Sequence, residues 1–161
     1  MSAARDGEQH ELRFQHRLRV RYGECDPQGV VFNVHYFAYF DVAMTEFHRE
    51  VIGPYSEMVE AGAEMVVGEA RARYLAPARF DEELDVYVDL AHLGNTSMTV
   101  RLLVEREDSV LVEGELRYVF IDPRTKQTRP IPEEIRKAVG PGSLRPVHLL
   151  NTATARIEIA V

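Results

Sequence analysis

The chain has 161 residues, which fits a single domain able to bury roughly two-thirds of its unfolded surface without a disulfide or metal staple. Hydrophobic residues make up 45% and charged residues 28%, the balance of a globular protein, and no apolar run approaches a membrane span or a signal-peptide core. The formal net charge of −7 argues against a nucleic-acid partner, and the single cysteine rules out an internal disulfide and suits a reducing cytoplasm. A local cluster of arginines could still meet an anionic ligand against the global sign.

Residues 1–11 are polar and read as a flexible N-terminal arm; residues 12–139 read as one domain. From Phe14 to Tyr22 apolar residues alternate with Arg17, Arg19 and Arg21, which predicts a half-buried strand with Tyr22 on its apolar face. Asp26-Pro27-Gln28-Gly29 has the residue order that a type I turn favours. Then the period changes. Phe37, Phe40, Met44, Phe47 and Val51 recur at three- and four-residue steps, predicting a helix from about Asn33 to Val51 that is apolar enough to be enclosed. Gly53-Pro54 ends it, and Tyr55 to Ala61 predicts a short second helix.

Beyond Gly62 the period is two. Val66 to Tyr74 reads as a strand whose small-residue face (Val66, Gly68, Ala70, Ala72) leaves room for the helix. Leu84–Leu90, Thr96–Glu105 and Val110–Ile121 complete the set, the first two joined by a Gly94-Asn95 hairpin. Pro132 followed by two glutamates opens a last helix to about Val139. Residues 140–161 read as a C-terminal extension, either an added strand or disordered. The fold class is α+β: an antiparallel sheet of about five strands wrapped around one long helix.

A carboxylate at Asp26 on a tight turn, a few residues before a helix N-terminus, places an acid or nucleophile beside unpaired backbone N–H groups. That is the minimal equipment for opening an acyl bond. Capping of the turn is the plain alternative for Asp26.

The segment YGECDPQGVVFNVHYFAYFD resembles the signature of the 4-hydroxybenzoyl-CoA thioesterase family of hotdog-fold acyl-CoA hydrolases. YLAPARFDEEL, the LGNTS hairpin and VFIDPRTKQTRPIPEEI are similar to its later landmarks, in order, over roughly Leu18 to Val139. The match is to the bacterial branch of short acyl-CoA thioesterases that includes the Tol-Pal-associated enzymes. The resemblance implies a hotdog fold, hydrolysis of an acyl-CoA thioester, and subunits paired edge to edge with active sites at their interface. The homo-oligomer would be a dimer or a dimer of dimers, that is, a homotetramer.

On this resemblance Asp26 is the catalytic aspartate, acting as nucleophile or general base, and the backbone N–H of Asn33 polarises the thioester oxygen. The branch typically carries a histidine where Asn33 stands, so a second acid–base group is absent here; His35, two residues on, is a partial substitute or has no role. Gly29 permits the turn and lets substrate approach the backbone. Tyr36, Asp41, Thr96 and Ser97 fall at substrate-binding positions, although Tyr36 packs on the plain reading and Asp41 could equally meet a backbone or arginine partner. Glu46 is a rival acid, because other hotdog thioesterases place theirs within the central helix. Cys25 lacks the His and Asn of a cysteine nucleophile. Arg71, Arg73, Arg79 and Arg101 are available for CoA phosphates. Phe32, Phe40, Met44, Met65 and Val66 could line an acyl pocket or be core. No cofactor is implied, and the histidines lack metal-ligand spacing. Two other activities fit the fold: an acyl-thioester hydratase or dehydratase, and a non-catalytic acyl-CoA binding module.

Overall fold

The structure, a computed structural model, describes residues 14–140. The reading of residues 1–11 as an arm lies outside the described residues, as does that of 140–161 as an extension for all but Gly140. Strands β1 (Phe14–Arg19), β3 (Glu83–Leu93), β4 (Ser97–Arg106), β5 (Ser109–Ile121) and β2 (Glu64–Tyr74) form one antiparallel sheet in the order β1-β3-β4-β5-β2. Helix α1 (His35–Phe47) lies in the curve of that sheet; α2 (Tyr55–Glu60) and α3 (Glu133–Val139) are short.

The inner face of the sheet follows the alternation. Leu84, Val86 and Val88 of β3, Met98, Val100, Leu102 and Val104 of β4, and Val112, Leu116 and Phe120 of β5 are buried against α1. From α1 come Tyr36, Tyr39, Phe40, Ala43, Met44 and Phe47. Phe40 is fully buried, and it approaches β5 so closely that a Cβ at Gly114 would sit 2.6 Å from its Cε2 and 3.0 Å from its Cε1. Gly114 is therefore the opening in the sheet through which the helix docks. Helix α1 is less enclosed than its composition suggests, since Ala38, Asp41, Val42 and Thr45 form an exposed outer face.

Three local departures from the sequence pattern have physical causes. The chain leaves β1 at Arg19 and coils into a 3-10 turn at Tyr22–Glu24, so Tyr22 is 81% exposed and rests edge-on against Phe80. The helix is α-helical only to Phe47 and continues as a π turn, His48–Ile52, which swings Val51 and Ile52 back onto the core. In β2 the register with β5 shifts between Val67 and Glu69. That bulge at Gly68 inverts the alternation, because one extra residue moves every side chain before it to the opposite face. Met65, Val67, Ala70, Ala72 and Tyr74 consequently sit opposite the inward residues of β5, while Val66 and Gly68 do not.

The sheet has two ends that matter for the site. One carries Glu83, Arg106, Ser109 and Tyr74; the other carries Leu93, Ser97, Ile121 and Glu64. At about 3.3 Å per residue, the ten residues of β4 separate them by roughly 30 Å.

Candidate active site

The turn before α1 is held by main-chain bonds. The Asp26 amide donates to Val30 O at 2.9 Å and the Gly29 amide to Asp26 O at 2.9 Å, while Cys25 and Val31 pair as an isolated bridge. Gly29 has φ +76°, a left-handed conformation that an L side chain reaches only at a cost, which is why glycine closes the turn. Two further bonds tie the loop to the body: Val31 N–H to Ala78 O at 2.8 Å and Phe32 N–H to Glu24 O at 2.9 Å. The loop lies at the Tyr74 end of the sheet, since Ala78 belongs to the segment linking β2 to β3. Asp26 is half-buried, and its Oδ1 accepts the Gln28 amide at 2.8 Å. Turn capping thus engages one carboxylate oxygen; no described residue bonds the other.

Glu24 is the residue that sequence reasoning missed. It is only 7% exposed, with Oε2 accepting the Arg21 amide at 2.8 Å and the Tyr39 hydroxyl at 2.7 Å, and Oε1 accepting Arg21 Nε at 2.7 Å. Burial alone would raise its pKa, but the bonds from the Arg21 amide, the Tyr39 hydroxyl and the Arg21 guanidinium outweigh it and hold the carboxyl below its ordinary value. Burial and the Glu24 carboxylate together push the Tyr39 phenol far up. A charged anchor thus locks the start of the Asp26 loop to the middle of α1. The Arg21–Glu24 spacing was a local hint; Tyr39, fifteen residues on, was not.

At the helix start no side chain caps α1. Val34 is the N-cap residue and makes no side-chain cap bond, so the Asn33 side chain does not serve the capping role open to it. The Phe32 carbonyl accepts the His35 amide at 2.8 Å, and the Val34 carbonyl accepts the Phe37 amide at 3.1 Å. Asn33 O accepts the Tyr74 hydroxyl at 3.0 Å and the Tyr36 amide at 3.4 Å. The amides of Asn33 and Val34 donate to no group among the described residues, and both residues are exposed. They are the free N–H groups at the positive end of the helix dipole.

The other candidates are distributed unevenly. Tyr36 is 2% exposed, its hydroxyl accepts the Ala78 amide at 3.3 Å, and it packs between Tyr39 and Tyr74; within one chain it offers no surface to a ligand. Asp41 is exposed on α1, where its charge helps burial raise the Tyr118 phenol. Thr96 and Ser97 lie at the Glu64 end of the sheet, so a single chain does not bring them to Asp26. Glu46 is bound to Arg49 on the helix surface, a structural ion pair. His35 shares a groove of about 420 Å³ with Glu24 and Tyr39 between the Tyr22–Glu24 turn and the outer face of α1; Asp26 does not line it. Arg71 pairs with Glu69 and Arg73 with Glu113, whereas Arg79 and Arg101 form no ion pair among the described residues. Phe40 and Met44 are core, while Phe32 and Val66 are exposed. Among the described residues no group of three or more His, Cys, Asp or Glu could hold a metal ion, and no helix is long and apolar enough to cross a membrane.

A five-stranded antiparallel sheet curled around one helix, with an acid-bearing turn ahead of the helix start, is the hotdog architecture. The chain belongs to the thioesterase-like superfamily, whose family model matches residues 20–139. It is 29% identical over 123 residues to the acyl-CoA thioester hydrolase YbgC of Escherichia coli, an alignment covering 76% of this chain and 92% of that protein. Among solved structures, a hypothetical protein from Thermus thermophilus superposes with a TM-score of 0.73 at 33% identity, over 78% of this chain and 96% of that one. One from Aquifex aeolicus gives a TM-score of 0.74 at 30% identity, over 79% and 99%.

Proposed function

We propose that this chain is an acyl-CoA thioesterase that hydrolyses R–CO–S–CoA to the free acid and CoA, with Asp26 as the reactive carboxylate. One observation carries the reading: a half-buried carboxylate is held on a pinned turn seven residues ahead of Asn33, and among the described residues one of its oxygens has no donor and the amides of Asn33 and Val34 have no acceptor. Asp26 either attacks the thioester carbonyl, forming a mixed anhydride that water then opens, or takes a proton from the attacking water. In both routes negative charge builds on the carbonyl oxygen, where the Asn33 and Val34 amides would stabilise it. The C–S bond then breaks and the sulfur leaves, taking a proton to become the CoA thiol. The family membership and the likeness to YbgC support the thioester as substrate.

The working unit on this reading is a dimer. Among the described residues strand β2 pairs only with β5, which leaves the other edge of this 11-residue strand without a described partner, and Val67 and Tyr74 beside it are exposed. Such an edge invites a partner strand. Antiparallel pairing of two β2 edges would put the Glu64 end of one copy at the Tyr74 end of the other. Thr96 and Ser97 of one protomer would then share an end of the joint sheet with Asp26 of its partner, and Arg79 or Arg101 would be free to meet CoA phosphates. A dimer of such dimers gives the tetramer, and a cytoplasmic setting suits the single thiol.

The test is thiol release across short-chain, long-chain and aromatic CoA esters, with wild type against Asp26→Asn. Hydrolysis by the wild type and none by a folded Asp26→Asn is the expected result. Near-normal turnover by the variant removes Asp26 from the mechanism, and tight acyl-CoA binding without thiol release across the panel refutes the hydrolase reading.

A further inference from the structure

Tyr74 closes strand β2 at a sheet margin that no other described strand pairs with, and its half-exposed side chain reaches the start of α1. Its ring stands edge-on to buried Tyr36 with centroids 5.6 Å apart, and its hydroxyl donates to Asn33 O at 3.0 Å across 41 residues of sequence. Partial burial raises the phenol pKa, so at neutral pH the oxygen keeps the proton it donates.

What that bond does depends on which peptide units present the free amides. The Asn33 N–H belongs to the unit whose carbonyl is Phe32 O, and a 2.8 Å bond from the His35 amide fixes that unit. The Val34 N–H belongs to the unit whose carbonyl is Asn33 O. Helix geometry holds this second unit only through the long 3.4 Å contact from the Tyr36 amide. The shorter bond on the same oxygen comes from Tyr74. A donor on the carbonyl sets the plane of the peptide and draws electron density from its N–H, making that N–H a stronger donor.

We infer that Tyr74 is a positioning residue for the oxyanion site, orienting and polarising the Asn33–Val34 peptide so that the Val34 amide can receive the charge that develops on the thioester oxygen. The inference rests on the thioesterase reading. It also makes the sheet margin part of the active site, because the strand that offers its edge to a partner aims the charge-stabilising donor.

The experiment compares full-length wild type and Tyr74→Phe, which keeps the ring against Tyr36 and deletes only the hydroxyl. With the CoA ester that wild type turns over fastest, kcat is expected to fall on the order of tenfold, a fraction of what loss of a direct donor causes, while KM stays within about twofold. A CoA trifluoromethyl ketone, which binds as a tetrahedral oxyanion mimic, should weaken by the same factor, whereas a CoA thioether lacking the carbonyl should bind both proteins alike. Unchanged kcat overturns the inference and leaves the thioesterase reading standing. A fall in kcat matched by lower melting temperature and by weaker thioether binding assigns Tyr74 a purely structural role and also overturns it. No thiol release by the wild type on any ester sinks the thioesterase reading, and this inference with it.

Discussion

Replacing Glu24 by alanine tests whether a buried charge fixes the Asp26 loop. The change removes the acceptor of three hydrogen bonds. The bond to the Arg21 guanidinium counts least, because that side chain is 83% exposed and solvent screens it to under about 1 kcal/mol. The Tyr39 hydroxyl is buried, and stranding it costs about 1–3 kcal/mol; the Arg21 amide adds about 1 kcal/mol. A total near 3 kcal/mol lowers the melting temperature by roughly 6–12 °C for a chain of this size. Glu24→Gln keeps the shape and one acceptor oxygen, so it should fall between the two. The pH dependence gives a sharper reading. The native carboxyl titrates below its ordinary 4.5, so its stabilisation is complete above that value and is lost as pH falls through the native pKa. Melts of wild type and Glu24→Gln from pH 8 to pH 3 should therefore differ at neutral pH and converge in acid. A gap of equal size at pH 3 and pH 7, or a Glu24→Ala protein that melts within 2 °C of wild type (about 1 kcal/mol or less), would refute the reasoning.

Gly114→Ala drives a methyl group into the Phe40 ring, and overpacking of this kind costs about 1–3 kcal/mol, seen as a lower melting temperature. In a double-mutant cycle Phe40→Leu should offset part of that loss; strict additivity of the two changes would mean the contact is not the cause. Val67→Asp places a charge at the open margin of β2, and sedimentation should show a monomer with greatly reduced thiol release. A fully active monomer would end the dimer proposal.

The sheet was legible because each strand keeps a period of two over six residues or more, and α1 because its apolar residues recur at helical steps. Where the reading slipped, one residue was enough. The bulge at Gly68 exchanges the faces of the first part of β2, and glycine gives no side chain from which to detect it. Tyr22 continued the alternation of β1, but the strand had already ended because the Val20 amide and carbonyl are taken by Glu82 and Asp81 of the next strand's approach. The Asp26 turn was readable since acid, proline and glycine act within four residues. The bonds from Tyr39 to Glu24 and from Tyr74 to Asn33 join distant parts of the chain, and no local pattern reports them. Thr96 and Ser97 illustrate the same gap on a larger scale: their separation from Asp26 is set by the length of a strand, not by any motif.

The segment around position 33 is secured from outside its own side chain: backbone groups hold the turn, Glu24 anchors its root, and the Tyr74 phenol grips a carbonyl. The Asn33 side chain bears none of that weight. Natural or engineered exchange at this one position, to a proton-transferring histidine for example, can therefore alter the chemistry on offer while the scaffold around it stays still.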